Sequence, residues 1–241
     1  MPVERYYFEG PLSAGSAIIL EGGEVHHLVN VMRSVKGDTV EVVNGRGVLA
    51  SASIQSIEKK RHVTLMVGKV TKQRPPRHEI VIVQAIPRLN RLDFILEKGT
   101  ELGMTQLWLF PGERSERKSL NVKAMERMKA VCVGAMKQCG RLFLPEVVVK
   151  PPLLEWSRVE GKAFFGDLNA RAPSFISVLK ECRVGDMFFF VGPESGFSSE
   201  EEKHLRTMGT VGVKLHENIL RTDTAAIVAV ALMKEQQWGQ A

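Results

Sequence analysis

Val191-Gly192-Pro193-Glu194-Ser195-Gly196-Phe197-Ser198 joins an apolar run to a charged one, and its reading decides the fold. Before it, Met187-Phe188-Phe189-Phe190-Val191 is continuously apolar and bounded by turn residues, the pattern of a strand buried on both faces. After it, Ser198 with Glu201 three residues on predicts a capping box, opening a helix that runs through Leu205 to about Met208. The stretch is therefore a loop between the carboxyl end of a buried strand and the amino end of a helix, where open α/β sheets place ligands. The same design recurs just downstream. Val211-Gly212-Val213-Lys214-Leu215 predicts another short strand, and Thr222 or Asp223 starts a helix whose early part, Ala225 to Met233, is apolar nearly all round. Such a helix is expected to be buried on several sides. A plain sharp turn would use the same glycines and proline. The absence of G-x-G-x-x-G and G-K-[ST] excludes a dinucleotide fingerprint and a P-loop.

Upstream, Ile80 to Ala85 predicts a buried strand and Gln106 to Phe110 another. Between them Leu92, Ile95, Leu96, Gly99 and Leu102 fall at helical spacing, with Gly103 as terminator. A long helix is expected from Asn121 to Gly140, with Met125, Met128, Cys132 and Ala135 inward and Lys123, Arg127, Lys129 and Lys137 largely outward. Leu153 to Trp156 reads as a short amphipathic piece, and Lys162 to Leu168 as a strand ending in a polar turn. Alternation of strand and helix predicts a mostly parallel sheet with helices on its faces. Residues 1 to about 70 read differently. Thr39 to Val43, the turn Asn44-Gly45-Arg46-Gly47 and Val48 to Ile54 make a hairpin; His62 to Val67 alternates like a further strand; Glu24 to Met32 suggests one helix. Thr71-Lys72-Gln73-Arg74-Pro75-Pro76-Arg77 is the boundary, because Pro-Pro continues neither a ladder nor a helix. The expectation is a β-rich domain over 1-72 and an α/β domain over 77-241.

The 33 basic and 27 acidic residues give a formal charge of +6, unevenly spread. Residues 58 to 78 hold seven Lys/Arg against one acid and residues 112 to 141 eight against three, whereas residues 192 to 241 hold five against seven. Basic middle segments beside a near-neutral pocket suit a polyanionic partner and a cationic small ligand. Three cysteines, odd in number and without C-x-x-C, imply neither a disulfide framework nor a zinc site, and a reducing cytoplasm fits them. The adjacent His26 and His27 point in different directions on one helix and have no partner at ligand spacing, so no metal is expected. Met1-Pro2-Val3-Glu4-Arg5 lacks a signal pattern and no apolar run approaches a membrane span, so a soluble protein with no membrane partner is expected.

The paired stretches, 192 to 198 and 215 to 225, resemble the two cofactor loops of the SPOUT methyltransferases, the trefoil-knotted enzymes that use S-adenosylmethionine. Within them the chain is most similar to the ribosomal RNA small-subunit methyltransferase E family, which methylates N3 of a uridine and carries Gly-Pro-Glu-Gly-Gly-Phe-Ser and Leu-Gly-x-x-Ile-Leu-Arg-x-Glu-Thr-Ala. Lys98-Gly99-Thr100-Glu101-Leu102-Gly103, Glu113-Arg114-Ser115-Glu116-Arg117 and Gln138-Cys139-Gly140-Arg141 extend the likeness, as do His26-His27-Leu28 and Met32-Arg33 in a PUA-like amino-terminal barrel. The resemblance implies a carboxyl-terminal knot, a homodimer and small-subunit (16S) ribosomal RNA as partner. It places S-adenosylmethionine against Leu168, Gly192, Pro193, Glu194, Gly196, Leu215, Ile219, Leu220, Thr222 and Ala225. Arg221 is expected to stabilise the anion that uridine becomes on losing its N3 proton, and Glu194 to accept that proton or fix the base, or else to bond amides of its own loop. Arg5, Arg33, Arg114, Arg117 and Lys118 are the expected RNA contacts. Other readings are a knotted enzyme acting on a ribose hydroxyl or a guanine nitrogen, and a non-catalytic RNA-binding protein. Ser195 and His216 stand where the family has glycine, and Asp223 where it has glutamate. If position 195 needs a left-handed backbone, serine there costs about 1 kcal/mol.

Overall fold

The computed structural model describes residues 4–239, and the chain divides into two compact units, one of residues 1–75 with 136–144 and one of residues 76–135 with 145–241. Residues 1–3, which belong to the stretch read for a signal pattern, lie outside the described residues. No helix among the described residues is long and apolar enough to cross a membrane.

The first unit is a five-stranded sheet of β1 (Arg5–Tyr7), β2 (Ala17–Glu21), β3 (Thr39–Val43), β4 (Val48–Glu58) and β5 (His62–Lys72), in the order β1-β3-β4-β5-β2. β1 pairs with β3 in parallel and the other pairings are antiparallel. The predicted β3–β4 hairpin forms because its turn has the residues it needs. Gly45 and Gly47 take φ of 70° and 83°, and the Asn44 side chain accepts the amides of Arg46 at 2.9 Å and Val48 at 3.2 Å. β4 then meets β5 with two register shifts, near Ala50 and Ile54, which bend the long ribbon around Tyr6, Leu20, Val25, Leu28, Val42 and Leu65. Burial, followed by the charge of Glu4, pushes the Tyr6 hydroxyl well above its usual ionisation. The helix expected between Glu24 and Met32 is α1 (Gly22–His26), continued by a π-helical turn over His27–Val31. β5 runs five residues beyond the predicted strand end, to Lys72, so Thr71 and Lys72 pair with Leu49 and Val48 rather than opening the connector.

The second unit is a six-stranded sheet, parallel throughout, in the order β11-β9-β10-β6-β7-β8. Its strands are β6 (Ile80–Ala85), β7 (Gln106–Phe110), β8 (Glu146–Val149), β9 (Lys162–Gly166), β10 (Met187–Val191) and β11 (Val211–Val213). Every residue of β6 and β10, the central pair, is buried, which is why β10 reads as an unbroken apolar run and β6 as one interrupted by Gln84 alone. On one face Val81, Val83, Phe165, Phe188 and Phe190 pack with Phe197 and with Leu205 of α5 (Ser199–Thr207). On the other, Phe164 and Phe189 lie 5.0 and 5.1 Å from Phe175 of α4 (Phe175–Glu181), in ring-to-ring contact. α2 (Leu89–Leu102), ended by Gly103 at φ 101°, packs against α6 (Thr222–Trp238). α6 buries Ala226, Ala229, Val230 and Met233, while Ile227, Val228, Ala231 and Leu232 stay half-buried. The helix packs against α2, α4, β6 and β10, and none of its residues Ala225 to Met233 is exposed, as its apolar composition predicted.

α3 (Val122–Cys139) lies where expected, with Met128, Cys132 and Ala135 buried. Lys137 corrects its expected outward placement. It belongs to the first unit and donates to Glu24 at 2.6 Å, both side chains 19% exposed. β1, β2, β8 and α4 were not read from the sequence; they are short, from three to seven residues, and offer too few periods to count.

Candidate functional site

At the carboxyl ends of β9, β10 and β11 the second unit opens a cleft of about 510 Å³. Two loops wall it, residues 192–197 after β10 and residues 214–222 before and into α6, with Gly166, Asp167 and Leu168 after β9 along a third side. All ten residues expected at a cofactor, and Arg221 with them, line this one cleft. Parallel strands put their carboxyl ends on one edge, so loops distant in sequence meet there.

The first loop is built from its own motif. Ser198 accepts the Glu201 amide at 3.0 Å and Glu201 accepts the Ser198 amide at 2.9 Å, the reciprocal capping box that the sequence predicted. The second oxygen of Glu201, a residue 1% exposed, takes the amide of Glu113 at 2.9 Å and ties in the loop after β7. Arg114 donates to the carbonyls of Phe197 at 3.1 Å and Ser195 at 3.4 Å, while the Ser195 hydroxyl donates back to the Arg114 carbonyl at 3.0 Å. The left-handed residue of this loop is Gly196, at φ 74°, and Ser195 has no positive φ. Serine at 195 is therefore unstrained, and its hydroxyl adds a bond that glycine would lack. At Gly192 an added Cβ would stand 3.0 Å from the Phe197 amide nitrogen, so the turn closes too tightly for a side chain.

The second loop is joined to the first at its base. Gln84, fully buried on β6, donates to Thr222 Oγ1 at 2.9 Å, and Thr222 donates to the Gly192 carbonyl at 2.8 Å. One hydroxyl thus bridges the two halves of the motif through a neutral pin. Farther out, His216 accepts the Asn218 amide at 3.1 Å through Nδ1, so the ring that replaces a family glycine folds back to close its own turn. Leu215 and Leu220 are half-buried and Ile219 is 79% exposed. The amides of Leu215, Ile219 and Leu220 make no hydrogen bond within the chain among the described residues.

The charged lining is balanced, with Asp167, Glu194, Glu202 and Glu217 against Arg91, Arg114, Lys214 and Arg221. Glu194 does not bond amides of its own loop as one sequence reading had it. Its Oε1 accepts the Arg88 amide at 3.4 Å and lies 3.3 Å from Arg91 Nε, while Arg91 Nη1 donates to Asp223 at 3.1 Å. Asp167 is clasped by Arg206 at 2.7 Å and accepts the Asn169 amide at 2.8 Å, which shapes the third side. Gln84, Arg91 and Asp167 were missed by sequence reasoning. A lone polar residue in a strand, on a helix face or in a turn has no motif around it to mark it.

The expected RNA contacts divide. Arg114 lines the cleft; Arg117 and Lys118 line a second basin with Arg88, Asn90 and Ser119, which meets the first at Glu194. Lys118 also closes its own loop, donating to the carbonyls of Gly112 at 2.5 Å and Glu113 at 2.7 Å. In the first unit Arg33 is exposed, whereas Arg5 is largely buried and paired with Glu41 at 2.7 Å.

Residues 73–234 match the family described as "RNA methyltransferase domain", and residues 20–65 that described as "RNA methyltransferase PUA domain". The family matches and the fold together define an α/β RNA methyltransferase domain preceded in the chain by a PUA domain. The ribosomal RNA small subunit methyltransferase E of Bacillus subtilis is 27% identical over 252 residues, covering 97% of each chain. Its counterpart from Neisseria gonorrhoeae, solved bound to S-adenosyl methionine, is 28% identical with a TM-score of 0.84 over 96% of each chain. A Legionella pneumophila methyltransferase, solved with SAM, is 26% identical with a TM-score of 0.87 over 97% of each. The chain belongs to the ribosomal RNA small-subunit methyltransferase E family.

Proposed function

We propose that this RNA methyltransferase uses S-adenosylmethionine to methylate N3 of a uridine in 16S ribosomal RNA of the small subunit. The observation that supports the reading best is that both motif loops wall one cleft and are tied by Thr222 to the Gly192 carbonyl at 2.8 Å. The residues present fit that cofactor. Gly166 and Gly196 have nothing within 4 Å of an added Cβ, the amides of Leu215, Ile219 and Leu220 have no partner within the chain among the described residues, and Leu215, Ile219 and Leu220 supply apolar walls. Leu168, Pro193, Thr222 and Ala225 complete the lining, and Glu194 and Glu217 place negative charge there for a cationic ligand. When bound, the cofactor supplies an electrophilic methyl on a sulfonium.

The protein's own part is then positioning and charge. Uridine N3 must lose its proton, and the anion left spreads onto the ring oxygens. Arg221 is exposed, lines the cleft and immediately precedes α6, so its guanidinium and the first amides of that helix present positive charge to that anion. Glu194, oriented by Arg91 and the Arg88 amide, receives the proton or holds the base by hydrogen bonding. Arg114, Arg117 and Lys118 lead phosphate towards the cleft, with the exposed Arg33 of the first unit as a further RNA contact. The enzyme acts as a knotted homodimer whose interface takes the half-buried Ile227, Val228, Ala231 and Leu232 of α6.

Incubating the purified protein with labelled S-adenosylmethionine and small subunits lacking the modification, then mapping the label, tests this reading. Label on uridine N3 is expected. Label on a ribose or a guanine would replace the assignment, and an absence of cofactor binding would leave a non-catalytic RNA-binding protein.

A further inference from the structure

We propose that Arg91 is a positioning residue that sets the spacing of the two cleft walls, and that its bridge is completed when the cleft is filled. The proposal rests on the methyl-transfer reading above. Arg91 sits in the first turn of α2, next to Leu92, which with Ile95 and Leu96 is fully buried, so the guanidinium is mounted on a fixed element outside both motif loops. From there it reaches Glu194 of the first loop at 3.3 Å and Asp223, at the start of α6, at 3.1 Å. The three side chains are 19%, 27% and 18% exposed, so the bridge is shielded from water, where charge-assisted contacts are strongest.

One half of the bridge is made and the other is not. Arg91 Nη1 has a directed hydrogen bond to Asp223, whereas the buried Nε has no directed partner among the described residues although Glu194 Oε1 is near. A buried N–H without an aligned acceptor is unfavourable, and a small turn of Glu194 supplies the acceptor. Glu194 also lines the cleft, so a ligand that reorients its carboxylate aligns the second half of the bridge. The planar fork of arginine can serve two carboxylates at once, which the single ammonium of lysine does less well. The buried Gln84–Thr222–Gly192 pin joins the base of the two loops, and Arg91 adds a charged tie from Glu194 of the first loop to Asp223, the residue that follows Thr222.

The test uses the full chain with Arg91→Gln, Arg91→Lys, Asp223→Asn and the double variant Arg91→Gln/Asp223→Asn. Arg127→Ala, which breaks an ion pair with Asp93 away from the cleft, is the control. Calorimetry reads the affinity for S-adenosylmethionine, and thermal melts with and without it read the ligand-induced shift. Arg91→Gln is expected to weaken binding about tenfold, the loss of one charge-assisted hydrogen bond, and to shrink the ligand-induced shift. Arg91→Lys should recover part of both, the double variant should lose less than the sum of its singles, and the control should match wild type. Wild-type affinity and shift in Arg91→Gln, or a melt lowered equally with and without ligand, would overturn the proposal while leaving the methyl-transfer reading intact. Failure of the wild type itself to bind the cofactor would remove that reading and this proposal with it.

Discussion

The two loops that wall the cleft are held in different ways. The first is braced along its length by the Ser198–Glu201 box, the Glu113 amide, Arg114 on two carbonyls and the close turn at Gly192. The second is held at its ends, by Thr222 on the Gly192 carbonyl and by the Lys214 backbone, which pairs with Pro173 and Phe175. Between those ends one turn closes through His216, and Ile219 stands largely in solvent. A preformed wall adds little to the cost of binding, whereas a loosely tied one must lose conformational freedom as it closes. The first loop is a template and the second is the part that adapts.

That contrast can be tested from its largest consequence downwards. Arg221 belongs to the adaptable wall and, in the proposed reaction, stabilises the uridine anion, so Arg221→Ala should lower turnover about 10²- to 10³-fold in a methyl-transfer assay, the range seen when a charge-stabilising group is removed. Cofactor affinity measured alongside should change little; normal turnover would remove the assigned role. Glu201→Ala attacks the template. It leaves two amides, those of Ser198 and Glu113, without their acceptor, and should cost about 2–4 kcal/mol, a melting point lower by roughly 5–15 °C. A variant that melts like wild type would show that the first loop does not depend on its box. Ile219→Ala should leave the ligand-free melt unchanged, because the residue is exposed, yet weaken cofactor binding about 3- to 10-fold as apolar cover is lost.

The smallest effect lies beside the template, at the Arg88–Glu116 pair. The hydrogen bond from Arg88, then its charge, holds the Glu116 carboxyl below the usual glutamate range. A folded value below the unfolded one means that the contribution to stability is complete above the ordinary value, about 4.5, and is lost as pH falls through the lower folded value. A carbon NMR titration of Glu116 should show its midpoint below that of free glutamate, and Arg88→Gln should return it to the ordinary range.

The template was also the more legible of the two loops. Ser198 and Glu201 form their box from residues three apart, and the apolar strand before them has to be buried, so local sequence contains both facts. Two motifs near in sequence likewise pointed to one pocket. What joins them was not legible: Gln84 and Arg91 act across 138 and 132 residues, on Thr222 and Asp223, and no local pattern marks a side chain whose partner is that far away. The return of residues 136–144 to the first unit was hidden for the same reason, since Lys137 reads as one more cation on a helix until Glu24 is placed beside it. Concern over Ser195 came from reading a motif without its backbone angles; the left-handed residue is Gly196.

The strand order has a consequence for synthesis. β10 lies between β9 and β6, and Met187 pairs with Ile80, so the middle of the sheet is filled by one of its last strands to leave the ribosome. A nascent chain that has emitted β6 and β7 keeps one edge of β6 open until residues 187–191 arrive, exposing an apolar strand edge that is prone to pair with the wrong partner. The same late segment delivers the loop that begins at Gly192, so the first wall of the cleft arrives with the strand that fills the middle of the sheet, ahead of β11 and the second wall.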